Sequence, residues 1–485
     1  MEAAAPTRNP AAGKHQRPRR RQPRTPRRKT GGRPRGSKGE PGWLARHLER
    51  ERLKKGQKRE RRSYKALAEN TLSLLSRGEV ESIARECGFS KHKQHKGIAP
   101  FEFVMCCAMA SVTEAKRGFA TVWRLLTAAA GVEVARSAVT QRFGEGSARL
   151  MQEVFTRAVA KLPSAPCPDL LGRLEKFKAV LADDGSVITL SPLLKKLFPA
   201  TRTKSVAAAG KVHATADLLR RRITQVEVTG ERDSELAVAR SRPIQAGTLY
   251  MSDLGYTDYN YFADIKNSGA DLLWRLKDNA NPKVVKVRHG VYAPVSAVER
   301  KLGLNSPELR FTQGTFDLDA EFETKNGTVV LRVVGRYNPT TDKYHCYVTT
   351  LSADEYTPAD LAGLYSLRWV IELLFKLLKS SCHLDHVDTS NVHALRTHIY
   401  SSLLAATILS SMCYAAASVY GIPGHAISAL TAGIAAPLIA LPLLLLWNST
   451  EFTPQKIADM IFRVLAIGCR DQNPKRTRQK WGFLS

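Results

Sequence analysis

The chain is poor in several things, and each shortage excludes something. Its eight cysteines, Cys87, Cys106, Cys107, Cys167, Cys346, Cys382, Cys413 and Cys469, are scattered without a Cys-x-x-Cys pair. That argues against a zinc module and a disulfide framework, and it fits a reducing cytoplasm. Acids are scarce: 44 Asp and Glu face 74 Lys and Arg, for a net charge of +30 and a pI near 10.0. The first partner to consider is therefore a polyanion, nucleic acid before an anionic membrane surface. No apolar run follows the start, so no secretory signal peptide is expected. Residues 397–450 contain no Asp, Glu, Lys or Arg at all. Two apolar blocks lie there, Ile399–Tyr420 and Ala426–Trp447, and each is long enough to raise the question of a membrane span. Ser, Thr and Ala dilute both, and the second carries Gly433, Pro437 and Pro442. Buried helices packed under a sheet are the preferred reading over a membrane hairpin.

What is present divides by texture. Residues 1–62 hold 22 Lys and Arg against 5 Asp and Glu. Pro and Gly punctuate this stretch, so it reads as a disordered basic arm suited to sequence-independent phosphate contact. A solvated solubility tail and an organellar transit peptide are the alternatives. Residues 63–165 follow a helical period, in segments such as Phe101–Met105 and Val122–Leu126. Ser137–Phe143 could open a recognition helix carrying Arg142, so a helical DNA-binding domain is expected, with plain helical packing as the alternative.

From residue 170 the pattern turns to strands: Phe177–Leu190 with acids in its middle, Val212–Leu218, Ile223–Val228 and Thr248–Tyr256, which ends on an acid and a Gly. A helix at Tyr259–Lys266 and a strand at Leu272–Lys277 follow. Residues 278–343 depart from this alternation. Val284–Val287, Glu308–Thr312, Phe316–Phe322 and Thr328–Val334 read as a β-rich insertion. The interrupted domain resumes at 344–395, and residues 396–485 form a C-terminal helical region. The fold class is α/β.

The chemistry gathers on Thr357–Lys379. Thr357 can cap, Pro358 suits a first turn and Asp360 stands three after the cap, so a helix begins here. At about 100° per residue, Tyr365, Arg368, Glu372 and Lys379 fall within a stripe of roughly 60° on an otherwise apolar helix. A carboxylate in such a place is costly unless paired or metal-bound. A structural ion pair and an acid–metal site with cations aimed at a phosphate are the two readings. Asp184, in a strand, and Asp253, at a strand end, supply two further acids. Three carboxylates so far apart in sequence would meet only through the fold, and their joint use would be to hold divalent metal for phosphoryl transfer. Asp183 is the competitor to Asp184, which is preferred because Gly185-Ser186 follow it directly. His213 and Asp217 read as structural.

These residues resemble the DDE transposases of bacterial insertion sequences, in the group (insertion sequence four) marked by Tyr-x₂-Arg-x₃-Glu-x₆-Lys. Here the signature is Tyr365, Arg368, Glu372 and Lys379, with Trp369, Ile371 and Phe375 as that group tends to have them. Asp184-Gly-Ser and Asp253-Leu-Gly-Tyr match the two acid motifs. The resemblance covers residues 70–400 and implies a ribonuclease-H-like catalytic core with a β-rich insertion, flanked by an N-terminal helical domain and C-terminal helices. It implies two Mg²⁺ ions (Mn²⁺ can substitute) on Asp184, Asp253 and Glu372. It implies phosphate contacts from Tyr365, Arg368 and Lys379, which in that group help to hold a DNA hairpin intermediate. The expected activity is cut-and-paste transposition on transposon ends and target DNA, by a homodimer in a nucleoid-associated cytoplasmic setting. No membrane partner is favoured. Trp274 is a candidate DNA contact, with core packing as its alternative. The alternatives for the whole chain are a catalytically silent, domesticated DNA-binding protein and a membrane-associated basic protein.

Overall fold

In the computed structural model, the residues described are 74–89, 97–113, 118–130, 132, 134–162, 172–201, 205–277, 279–289, 314–340, 343–385, 387–422, 428–448, 458 and 461–462. They all belong to one compact unit, Lys55–Ser485. The basic arm, the expected strand at Glu308–Thr312 and the basic tail lie outside the described residues.

Among the described residues five helices come first: α1 (Arg77–Glu86), α2 (Pro100–Thr113), α3 (Phe119–Ala130), α4 (Arg136–Gln141) and α5 (Glu145–Lys161). Local chemistry starts α1, where the Ser76 side chain accepts the Glu79 N–H. Nearly every residue of α2 is buried, so it serves as a core helix rather than a surface one. Nine strands follow: β1 (Ala179–Leu190), β2 (Ala208–Asp217), β3 (Arg222–Gly230), β4 (Thr248–Ser252), β5 (Asp271–Arg275), β6 (Lys283–His289), β7 (Thr315–Thr324), β8 (Gly327–Asn338) and β9 (Lys343–Thr349). Between them run α6 (Glu235–Arg240) and α7 (Tyr259–Asn267), and after them α8 (Pro358–Ser366), α9 (Trp369–Ser380), α10 (Val392–Tyr420) and α11 (Ala429–Asn448).

The strands form one mixed sheet in the order β3-β2-β1-β4-β5-β9-β8-β7-β6. β1 runs parallel to β4, and β4 parallel to β5, while β2 is antiparallel to β1. The strands of 278–343 do not build a sheet of their own. β9 pairs antiparallel with β5, and β8, β7 and β6 continue outward as an antiparallel meander. A parallel pair needs a long crossover; β1 reaches β4 by way of β2, β3 and α6, and β4 reaches β5 through α7.

The sheet has two cores. One face packs α1–α5 and α8–α11 into a single apolar cluster that includes Val180, Ala182, Leu249 and Met251. The other holds Tyr250, Tyr256, Phe262, Leu272 and Trp274 under α7. The helices before and after the sheet thus share a core. The uncharged stretch makes α10 and α11. The described residues contain one helix long and apolar enough to cross a membrane, α10, and 72% of its most apolar window is buried inside the protein. Its hydroxyls are consumed internally: Ser401 donates to the Thr397 carbonyl at 2.7 Å, Thr407 to that of Leu403 at 2.8 Å, and Ser402 to that of Cys382 at 3.0 Å. Such back-bonding lets a Ser- and Thr-rich helix sit dry against α2 and α5.

Candidate active site

The pleat of β1 decides which aspartate faces the site. Successive side chains alternate between faces. Ala182 lies in the helix-covered core, so Asp184 shares its face and Asp183 points the other way. Asp183 is buried and spoken for: Thr215 Oγ1 donates to its Oδ1 at 2.6 Å, and Arg242 Nη1 at 2.6 Å. Asp184 is half-buried, and its Oδ1 accepts the Gly185 N–H at 2.8 Å.

Ala182 of β1 stands beside Met251 of β4 in the parallel register. Two residues on, Asp184 and Asp253 extend the same row. Asp253 keeps extended geometry (φ −86°, ψ −174°) and caps a 3-10 turn, its Oδ1 accepting the Gly255 N–H at 2.8 Å.

The third acid arrives on the helix pair α8–α9. The capping box at its start is formed: Thr357 accepts the Asp360 N–H, and Asp360 accepts the Thr357 N–H. The single helix expected over 357–379 is tightened in the middle. Leu367, Arg368, Val370 and Ile371 bond to the carbonyl three residues back, at 2.9–3.1 Å. The strip survives this irregularity. Tyr365 Oη donates to the Ser252 carbonyl at 3.3 Å, one residue before Asp253. Arg368 pairs with Glu372 and lies 5.7 Å from the Tyr365 ring. Lys379 donates to the Val187 carbonyl at 2.7 Å, three residues beyond Asp184. Tyr365, Arg368, Glu372 and Lys379 therefore run along the end of β4 and the outer half of β1.

Electrostatics tie the three acids together. Burial pushes the Asp184 carboxyl up to about 6; the Gly185 N–H and Arg368 pull it down, while the charges of Asp253 and Glu372 push it further up. Burial opposes the Arg368 charge, but Tyr365, Glu372 and Asp184 outweigh it and hold the guanidinium above its ordinary range. Burial raises the Tyr365 phenol to about 12, so it stays a neutral donor. Three carboxylates with one central arginine leave negative charge uncompensated. Hard carboxylate oxygens are the donors Mg²⁺ prefers, so the set fits such an ion chemically. Among the described residues, however, no three His, Cys, Asp or Glu side chains stand close enough to enclose one. Two of the carboxylates are turned onto glycine N–H groups and the third onto Arg368.

Trp274 must be corrected as a DNA contact. It is wholly buried, 5.3 Å from the Phe262 ring and edge-on to Tyr261. β5 lies between β4 and β9, and its three central residues, Leu272–Trp274, are buried. Arg142 follows α4, which has only six residues, and its guanidinium lies 5.3 Å from the Phe89 ring in the helical layer. It is not part of the strip. Sequence reasoning named Trp369 only as part of the resemblance and passed over Leu373; the two are 50% and 40% exposed beside Arg368 and Glu372. Their i, i+4 spacing on the polar side of an apolar helix was the available signal.

This geometry meets the comparisons with known proteins. Residues 175–408, which contain all three acids and the whole strip, match the family model of the transposase DDE domain. The chain is 21% identical over 408 residues to the transposase for insertion sequence element IS1151 of Clostridium perfringens, covering 74% of this chain and 82% of that one. It is 20% identical to the IS231F transposase of Bacillus thuringiensis subsp. israelensis, over 69% and 77% of the two chains. Over 65 residues, 13% of this chain and 18% of the relative, it is 40% identical to the putative transposase InsL for element IS186A of Escherichia coli. A piggyBac transposase synaptic complex with hairpin DNA overlays 84% of this chain and 85% of its own, with a TM-score of 0.43 and 8% identity.

Proposed function

We propose that the protein is a transposase that cuts and rejoins DNA at the ends of an insertion sequence by two-metal phosphoryl transfer, in cut-and-paste mode. The observation that carries this is the placement of Asp184 midway along β1, Asp253 at the end of β4 and Glu372 on α9, near enough for the latter two to act on the Asp184 carboxyl, within a segment that matches the transposase DDE domain. The order β3-β2-β1-β4-β5, with only β2 reversed against β1, supports a ribonuclease-H-like core for residues 170–277 and 344–395. Asp184, Asp253 and Glu372 would hold a pair of Mg²⁺ ions, which supply activation of water or a 3′-hydroxyl and stabilisation of the leaving oxygen. The residues around them position the strand. Arg368 and Lys379 neutralise phosphate charge, and the neutral Tyr365 hydroxyl exchanges the Ser252 carbonyl for a phosphate oxygen. Exposed Trp369 offers a face on which an unpaired base can stack. A homodimer would bring two element ends together, and the net charge of +30 suits the DNA partner. The intact set of three acids weighs against a silent, domesticated role.

The purified protein, given a labelled element end and Mg²⁺, should nick and then join DNA. Asp184→Ala, Asp253→Ala and Glu372→Ala should each lose at least about 10²-fold in cleavage rate while still binding DNA. Wild-type cleavage by any of the three would refute the assignment.

A further inference from the structure

On the opposite face of the sheet, one acidic side chain packs against both aspartate motifs at once. Glu235 is the first residue of α6, behind the Ser234 cap. A methyl group added to Gly185 would come within 2.8 Å of Glu235 Oε1. A methyl group added to Gly255 would lie 3.9 Å from Glu235 Oε2 and 3.1 Å from Asp253 Oδ1. These are the two glycines whose N–H groups hold Asp184 and Asp253. A bare Cα is therefore needed at 185 for the carboxylate to pass, while at 255 the carboxylate stands at ordinary contact distance.

Glu235 does not reach this position by its own preference. Lys211 of β2, whose side chain is only 3% exposed, pairs with Oε1 at 3.1 Å and also donates to the Asp233 carbonyl at 3.2 Å. A buried ammonium must be paired, and this one is paired to the side chain that lies on Gly185. His213, two residues along β2, bonds the Thr229 hydroxyl at 2.7 Å and completes the wall.

We propose that Glu235, clamped by Lys211, is a positioning residue that fixes the spacing between the Asp184 and Asp253 backbones and so sets the affinity of the carboxylate site for a divalent cation. It acts through the two glycines and touches neither substrate nor reacting atoms. The proposal rests on the reading above that these carboxylates hold such a cation. Groups that orient ligands without binding the ion themselves commonly change metal affinity by 10–100-fold.

The test is Mn²⁺ binding to the DNA-free, full-length protein, followed by the spin resonance of the free ion, with melting of the metal-free protein in parallel. Glu235→Gln keeps the shape and removes the charge, and it should weaken Mn²⁺ binding by about tenfold. Because it strands Lys211, it should also lower the melting temperature. Lys211→Met/Glu235→Gln removes both charges, should recover most of that stability, and should keep the tenfold loss in Mn²⁺ affinity. A double variant that binds Mn²⁺ like wild type would show a merely structural role and overturn the proposal. If Asp184→Ala and Asp253→Ala leave Mn²⁺ binding unchanged, the underlying metal reading falls instead, whatever Glu235 does.

Discussion

Two arginine–carboxylate pairs flank α8, and they are built to opposite ends. Arg332 of β8 has a partner for each of its three nitrogens. Nε and Nη2 reach the two oxygens of Asp317 at 2.9 and 2.5 Å, and Nη1 reaches the carbonyls of Leu351, Ser352 and Tyr356 at 3.2, 3.1 and 2.9 Å. Both side chains are about 5% exposed. Arg368 pairs with a carboxylate that is 29% exposed and shares a hydrogen bond with Tyr365, its buried Nε has no partner, and the Asp184 carboxylate acts on it as well. The first pair rivets the meander to the chain entering α8. The second is left underbonded, with capacity in reserve for a ligand. Both are buried ion pairs on paper; the number of filled bonding positions separates a structural pair from a reactive one.

The largest effect expected from this contrast is on folding. Asp317→Ala strands the Arg332 charge and should cost about 3–5 kcal/mol in urea unfolding, whereas Glu372→Gln should cost no more than about 1 kcal/mol. Equal losses would erase the distinction. Next comes the pH dependence of the reactive side. The Asp184 carboxyl titrates at about 6 in the folded chain against about 3.9 unfolded, so the folded state holds that proton more tightly. Its contribution to stability is full below about pH 4 and is lost as pH rises through about 6. In metal-free protein, Asp184→Asn should therefore raise stability by on the order of 2 kcal/mol at pH 8 and leave it unchanged at pH 4. A flat difference between those pH values would mean that Asp184 is not electrostatically frustrated. The smallest effect is on DNA affinity. Lys379→Met should weaken binding about equally for all sequences and reduce the salt slope of log K by about 1; an unchanged slope would remove Lys379 from the phosphate path.

Much of this was readable beforehand because periodicity reports faces. The runs at 179–190, 222–230 and 315–324 alternate or stay apolar as strands do, and the Thr357 cap declared its helix. Asp184 was preferred over Asp183 on the Gly-Ser that follows it, though a one-residue step along a strand reverses the side chain; in the structure Asp183 bonds Thr215 and Arg242, neither of which is near β1 in sequence. Trp274 misled because an aromatic in a short strand looks alike in a central and an edge strand, and only the neighbours β4 and β9 bury it. Glu235 gave no signal, since a six-residue helix carries too little period and its role depends on two distant glycines.

The meander outside β9 has a consequence for how such a chain can change. The acids depend on the register of β1 with β4 and on the contacts of α8 and α9. None of these involves β6, the last strand in the order on that side. New strands, or a longer connection between β6 and β7, can accrete at that margin as a shoreline gains sediment, at an entropic cost that grows only slowly with loop length. A lineage can therefore remodel that margin while the register that sets the three acids stays unchanged.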